Sequence, residues 1–586
     1  MNYLKLITRI TSLFVLLLTL APTSTLAQNN IACETDVIVQ ADDWLSKIAA
    51  KFYNDPLTFP AIVEATNSQS AADNSYATID NPDVIEIGWK LCIPSQADAL
   101  VLLGQSEAMA ASDLPDSVVP ITLIHLNDVY EITPVSGGKE GGLARVATLR
   151  KQLLAENPNT FMLLAGDLFS PSALGTANVD GERLAGRQTV SVMNAIGLDF
   201  MTFGNHEFDL NQERFLKRLA ESEFTWFSSN VFDANGQPFP GVAKNHILTV
   251  TDDKGQEVRI GLFGLTLGSN PQDYVTYTDP FAAAAEQVAE FRGQVDILIG
   301  LTHLAVEDDT KLSQQFPEID LIIGGHEHEN MRVEPGPGLA PVFKADANAR
   351  TVYIHRLLYD TAGGELEINS RLQPVTDAIP DDPEALQAVN QWTELGFEGF
   401  RASGFNPEQI ITRVDIALDG LEASVRNKPT ELTQIIATAM LNAAPGAELS
   451  IYNGGSIRID DIIPPGSLTE YDVIRILPFG GETVSVEMTG TLLKQVLDQG
   501  RANAGNGGYL QTANVATDGS GNWFISGEPL AETRAYLVAI NDFLLTGNEQ
   551  GLDYLTPDNS GLKVLETHGD IRKATIEQLK AEFPPQ

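Results

Sequence analysis

Cysteine is nearly absent: Cys33 and Cys92 are the two in 586 residues. They are too few, and too far from the histidine clusters, for a structural zinc site. Basic residues are also scarce. Against 78 Asp and Glu stand 37 Lys and Arg, a net charge of −41. Such a surface repels nucleic-acid polymers and anionic lipid at long range. It equally repels phosphate, so a phosphate site here needs strong local positive charge from metal ions or clustered Arg. Long apolar runs are missing after the first twenty residues, which leaves no stable membrane span. No internal repeat is visible. What remains is globular composition, 43% hydrophobic and 20% charged, at a length that suits about three or four domains.

The one apolar run, Leu13 to Leu20, follows Lys5 and Arg9 and leads to Thr25-Leu26-Ala27. This is the pattern of a signal peptide over residues 1–27, cleaved before Gln28. The chain is therefore expected to be exported, to a periplasmic, cell-wall-associated or extracellular location. In an oxidising compartment Cys33 and Cys92 are expected to form a single disulfide.

Residues 33–95 read as a compact βααβ unit. Val37-Ile38-Val39 has strand character, a helix opens at Asp42-Asp43-Trp44-Leu45-Ser46, and a second helix from Pro60 ends at Asn67. Lys90 to Pro94 forms the closing strand, with a cysteine at each edge of the unit. This resembles a LysM domain, although Ala41-Asp42-Asp43 replaces the usual Gly-Asp-Thr start and the loop from Ser68 to Asp83 is long. The resemblance implies contact with peptidoglycan or another N-acetylglucosamine polymer. A linker rich in Ala, Ser and Asp covers 96–118. Buried strands then alternate with helical stretches over 119–375, the pattern of an α/β domain. A linker helix over 376–400 leads to a second α/β domain at 401–586.

Five apolar strands in the first α/β domain end in polar residues of one kind. They run into Asn127-Asp128, Gly166-Asp167, Gly204-Asn205-His206-Glu207-Phe208-Asp209, Thr302-His303 and Gly324-Gly325-His326-Glu327-His328. The carboxyl ends of such strands are where ligands bind. Carboxylate, amide and imidazole suit borderline divalent metals. One such ending is ordinary, a turn or a helix cap, but five in order point to a site. His125 lies within its strand and reads as a core or supporting group. His246, His355 and His568 lack a ligand context.

This run resembles the calcineurin-like metallophosphoesterases. The motif from Gly204 to Asp209, together with the C-terminal half, is similar to the 5'-nucleotidases. The resemblance implies a four-layer α/β/β/α core and an α/β substrate-binding domain, with two divalent ions, Zn, Mn or Co. By resemblance Asp167 bridges both ions. Asn205, His303 and His326 complete one site, and Asp128 and His328 belong to the other. His206, oriented by Asp209, faces the leaving group. The family's first motif is Asp-x-His, and here it reads Asp128-Val129-Tyr130. Tyr130 is either a ligand, suited to a hard, strongly Lewis-acidic ion, or a bystander with water or Glu131 filling the gap.

In the C-terminal half, Asn453-Gly454-Gly455-Ser456-Ile457-Arg458 and Leu477-Pro478-Phe479-Gly480 stand on loops, and Phe543 ends a strand. The same resemblance implies that Phe479 and Phe543 stack a nucleobase and that Arg426, Asn453 and Arg458 contact ribose or phosphate. Glu549 stands where the family places an Asp. The implied activity is release of phosphate from nucleoside 5'-monophosphates. Hydrolysis of 2',3'-cyclic nucleotides or UDP-sugars is the alternative on the same metals, and a non-catalytic wall-binding protein with a degenerate metal core is the alternative of another class.

Overall fold

The computed structural model describes residues 33–40, 44–53, 58–70, 73–79, 82, 85–95, 98, 99, 102 and 114–584. The signal sequence read at 1–27, the helix start at Asp42-Asp43 and most of the linker lie outside them. The chain forms two compact units, 1–107 and 108–586.

In the first unit β1 (Cys33–Ile38) pairs antiparallel with β2 (Lys90–Pro94), Ile38 opposite Lys90. A disulfide joins Cys33 to Cys92. Helices α1 (Leu45–Tyr53) and α2 (Phe59–Ser70) bury Ile48, Ala49, Ala61 and Ile62 against Leu91 and Ile93. The second helix does not stop at Asn67. Its side chain instead clamps the following loop, accepting from the Ile79 N–H at 2.7 Å and donating to the Ile79 carbonyl at 3.0 Å. A satisfied amide on a loop this long replaces the expected helix-ending role.

The second unit begins with two facing sheets. In the first, β3 (Val118–Leu126), β4 (Thr160–Ala165), β5 (Phe200–Thr202), β6 (Thr225–Phe227) and β7 (Val242–Ala243) run parallel. In the second, β8 (Asn245–Thr251) pairs antiparallel with β9 (Glu257–Thr266). Strands β9, β10 (Ile297–His303), β11 (Leu321–Gly324) and β13 (Val342–Lys344) run parallel, and β12 (Met331–Val333) flanks β13. The chain then returns to the first sheet as β14 (Thr351–Asp360) and β15 (Glu365–Pro374), antiparallel beside β3.

Side chains from both sheets, among them Leu123, Leu163, Ile260, Ile299 and Ile323, meet in one apolar layer. Helices α3 (Leu143–Glu156) and α4 (Arg187–Ile196) cover the outer face of the first sheet. Helices α5 (Pro280–Phe291) and α6 (Val306–Gln315) cover the second. These are the four expected layers, α/β/β/α. Burial on both faces explains why the strands read as continuous apolar runs.

Helix α7 (Pro383–Ala402) starts on the Asp382 side-chain cap with Pro383 in its first turn. It buries Val389 and Phe400 in a cluster that also holds Val190 and, further on, Ile435 and Tyr452. The C-terminal α/β part is built on a five-stranded sheet. Its spatial order is Leu510–Ala513, Leu449–Asn453, Ala535–Asn541, Glu482–Thr489, Leu562–Asp570.

Candidate active site

The parallel strands β3, β4, β5, β10 and β11 end at one edge, and each end turns sharply. Asp128, Asp167 and His326 take left-handed backbone angles, with φ of 53°, 61° and 90°. Each such residue costs roughly 1–3 kcal/mol and persists only where its surroundings enforce it. Glycines make the room. A Cβ on Gly204 would lie 2.0 Å from Asp167 Oδ1, and one on Gly325 would lie 2.3 Å from the Ala165 carbonyl. Glu207, fully buried, accepts from the backbone N–H of Asp167, Leu168 and Gly204 at 3.0, 2.6 and 2.6 Å. Burial, then the Asp167 charge, push its carboxyl up to about 7.

The strand ends assemble two halves around Asp167. In one, His303 donates from Nδ1 to the Ala165 carbonyl at 2.8 Å, which fixes the ring. Its Nε2 then lies 3.1 Å from Asn205 Oδ1 and 3.3 Å from Asp167 Oδ2. The His326 ring stands edge-on to His303 at 5.4 Å, and the His326 N–H donates to Asp128 Oδ2. In the other half, the Tyr130 hydroxyl lies 3.2 Å from Asp128 Oδ1, 3.0 Å from Asp167 Oδ2 and 3.1 Å from His328 Nε2. His328 Nδ1 is 2.5 Å from Asp460 Oδ2.

These donors fit cations. Asp128, Asp167 and His303 are buried and offer ligand atoms within 4.8 Å of one another. Among the described residues no Lys or Arg forms an ion pair with either carboxylate. Burial opposes a charged His303 ring, yet Asp167 and Asp128 push its pKa up to about 10. A site that recruits a proton this strongly is short of positive charge, and metal ions supply it.

His206 connects this cluster to open space. Its backbone N–H donates to Asp167 Oδ1 at 2.8 Å, and its Nδ1 meets Asp209 Oδ2 at 2.9 Å. Burial lowers its pKa, but Asp209 and Asp167 outweigh this and hold it above the ordinary value. Asp209 lines a cleft of about 1040 Å³, whose far wall carries Asn453, Arg458, Phe479, Phe543 and Glu549. Phe479 and Phe543 are 47% and 42% exposed. The Arg458 guanidinium lies 5.6 Å over the Phe479 ring. Asn453 Nδ2 donates to Glu549 Oε2 at 2.8 Å.

One expectation fails on geometry. Glu131 does not fill the gap beside Asp128: its carboxylate turns away to accept from the Ala173 N–H and the Tyr471 hydroxyl. Arg426 pairs with Glu422, and its charge also reaches the cleft residue Glu549. His125 and His355 stack at 5.6 Å inside the core, with His125 Nε2 on the Gly324 carbonyl. That fits His125 as a core or supporting group and His355 as a residue without a ligand context.

Sequence reasoning missed Asp460 and Asn270. Asp460 grips His328 across 132 residues, and no local pattern connects them. Asn270 donates to Asp209 Oδ1 at 2.8 Å from a loop with no motif of its own. Glu207 sits inside the Asn-His-Glu motif, so its position was visible although its task as a backbone clamp was not.

The calcineurin-like phosphoesterase family matches residues 121–330, and the 5'-nucleotidase C-terminal domain matches residues 410–556. The chain joins a calcineurin-like phosphoesterase domain to a 5'-nucleotidase C-terminal domain. Together these matches span more than half of it, and the family works with two divalent metal ions. The chain is 28% identical over 447 residues to the trifunctional nucleotide phosphoesterase protein YfkN of Bacillus subtilis, covering 68% of this chain and 29% of that protein. It is 25% identical over 497 residues to the 5'-nucleotidase of Bos taurus, covering 73% and 83%. The solved 5'-nucleotidase precursor of Thermus thermophilus superposes with a TM-score of 0.64 at 25% identity, covering 79% of this chain and 97% of that one. The chain thus spans under a third of YfkN but most of the other two. Its build is that of a metal-dependent phosphoester hydrolase. Among the described residues no helix is long and apolar enough to cross a membrane.

Proposed function

We propose that the chain is an exported phosphomonoesterase that releases phosphate and nucleoside from nucleoside 5'-monophosphates. The observation that carries this reading is the continuity from a buried, cation-hungry donor cluster, through His206 and Asp209, to a cleft faced by two exposed phenylalanines. Asp167 would be the shared ligand, Asn205, His303 and His326 would hold one ion, and Asp128 and His328 would hold the other. When bound, two such ions supply Lewis acidity toward the phosphoryl oxygens and an attacking water.

The chain's own residues do the rest. His206, kept protonated by Asp209, donates to the leaving ribose oxygen. Phe479 and Phe543 stack the base, which is worth about 1–3 kcal/mol per base. Arg458 and Asn453 hold the ribose side. Arg426, whose charge acts on Glu549, adds positive potential on the same side. Glu549, already engaged by Asn453, reads the nucleoside edge and has a longer reach than the Asp usual in the family.

The test is hydrolysis of AMP, a 2',3'-cyclic nucleotide and a UDP-sugar by full-length chain reconstituted with manganese, zinc or cobalt. AMP is expected to turn over fastest. A cleft of this volume exceeds a mononucleotide, so preference for the UDP-sugar would move the reading to a nucleotide-sugar hydrolase. Silence on all three would overturn it.

The first unit gives the enzyme a wall contact by its likeness to LysM domains. Trp44 is 56% exposed there, an aromatic face suited to stacking on a sugar ring. Pull-down on peptidoglycan tests this, and equal retention of a chain lacking residues 33–95 would overturn it.

A further inference from the structure

The two halves of the donor cluster differ in kind. Beyond the shared Asp167, the half around His303 offers an amide oxygen and imidazoles, which are neutral ligands. The half around Asp128 offers a carboxylate, an imidazole and the Tyr130 oxygen. That oxygen is not packed against apolar groups. It stands within 3.2 Å of three candidate ligand atoms, Asp128 Oδ1, Asp167 Oδ2 and His328 Nε2.

One hydroxyl proton cannot serve two carboxylate oxygens at once, and the Asp128 and Asp167 oxygens both lie within reach of it. The backbone fixes the tyrosine in this place: the N–H groups of Tyr130 and Glu131 both donate to Asn348 Oδ1 at 3.0 Å. The other side chain that could complete this ligand set, Glu131, is turned to Ala173 and Tyr471. Tyr130 therefore stands at the focus of the site.

We infer that Tyr130 is a metal ligand through its phenolate oxygen, and that the Asp128–Tyr130–Asp167–His328 half takes a hard trivalent cation, of which ferric iron is the fitting class. The inference rests on the two-metal reading above and concerns the identity of one of the two ions. Three anionic oxygens and one imidazole are a hard donor set, and hardness and charge select the ion where raw affinity does not. The other half, neutral apart from Asp167, keeps a divalent ion. Binding is a ligand exchange: the phenol O–H breaks, its proton passes to solvent, and an oxygen–iron bond forms. Iron enters as the ferric ion, so no electron moves.

The test uses full-length chain stripped with chelator, then given one equivalent each of ferric iron and zinc, desalted, and read by metal content and visible absorption. The expected result is one iron and one zinc per chain, with a phenolate-to-iron charge-transfer band. Tyr130→Phe is expected to lose the band and hold iron at least about tenfold more weakly, the scale of a lost metal-site partner, while retaining zinc. Tyr130→His is expected to be colourless and to take two zinc ions. A colourless wild-type chain with iron bound, or equal iron retention in Tyr130→Phe, would overturn the inference. Two zinc ions displacing iron from wild type would overturn it and leave the two-metal reading standing. Failure to bind any metal would overturn both.

Discussion

The two halves of the metal cluster are held in opposite ways. Around His303 every support is local to the core: the Ala165 carbonyl fixes the ring, and Gly166, Gly204 and Gly325 bring neighbouring strand ends into contact. Around Tyr130 the supports come from afar. Asn348, 218 residues on, holds the Tyr130 backbone, and Asp460, in the C-terminal part, holds His328. The first half is a property of the neighbouring strand ends of the two core sheets. The second is a joint product of the core and the C-terminal part, so it should respond to changes that the first does not feel.

The substitution expected to act on both halves at once is Asp167→Asn. It removes the shared carboxylate and the charge that draws cations to His303. Activity is expected to fall by more than about a thousandfold, as for loss of a central electrostatic group. Bound metal should fall below one ion per chain. Retention of two ions, measured by mass spectrometry, would show that the halves do not meet at Asp167.

Gly204→Ala attacks the local half. The new Cβ would sit 2.0 Å from Asp167 Oδ1 and 2.6 Å from its backbone nitrogen, so the loop must shift. Overpacking of this kind costs about 1–3 kcal/mol. A denaturant melt is expected to show that loss together with weakened metal binding. An unchanged melt with full metal content would mean that the close approach is dispensable.

The same asymmetry explains what was legible in the sequence. The strand-end motifs made the four layers legible and named donors in both halves, Asp128 and His328 included, because parallel buried strands write their ends as apolar runs followed by polar turns. Phe479 was legible because it stands on a Pro/Gly loop, and Asn453 and Phe543 because they mark the ends of apolar strands. Asp460 was not, since a hydrogen bond across 132 residues leaves no spacing to read. Asn67 misled: an Asn suits a helix end, but a long loop offered it a better partner.

Asp460→Asn tests the remote half alone. The amide keeps the shape but no longer supplies the charge that holds the His328 N–H and directs Nε2 to the metal. Loss of such a partner costs about 10–100-fold in metal affinity. The expected result is one weakly held ion and one unaffected ion in a metal titration, with activity restored by excess metal. The neighbouring Asp461→Asn is the control, because Asp461 contacts Ser136 and Arg350 and no donor of the cluster. Equal weakening of both ions would erase the distinction between the halves.

The smallest effect is expected outside both halves, at Asp209. Its carboxylate, with Asp167, raises the pKa of His206 against the pull of burial. A raised histidine pKa keeps the acid protonated to higher pH, so the rate declines only as pH climbs through that elevated value, above the ordinary 6.5. The same sign holds for stability: the ion pair's contribution is complete below the unfolded pKa and is lost as pH rises through the folded one. Asp209→Asn removes the partner charge but leaves Asp167. The falling limb of the pH–rate profile is expected to move toward lower pH, by less than the full shift, while the metal titration stays as in wild type. A limb that does not move would assign it to another group and leave Asp209 as a scaffold for Asn270. A shift with altered metal affinity would place His206 inside the cluster, not between the cluster and the cleft.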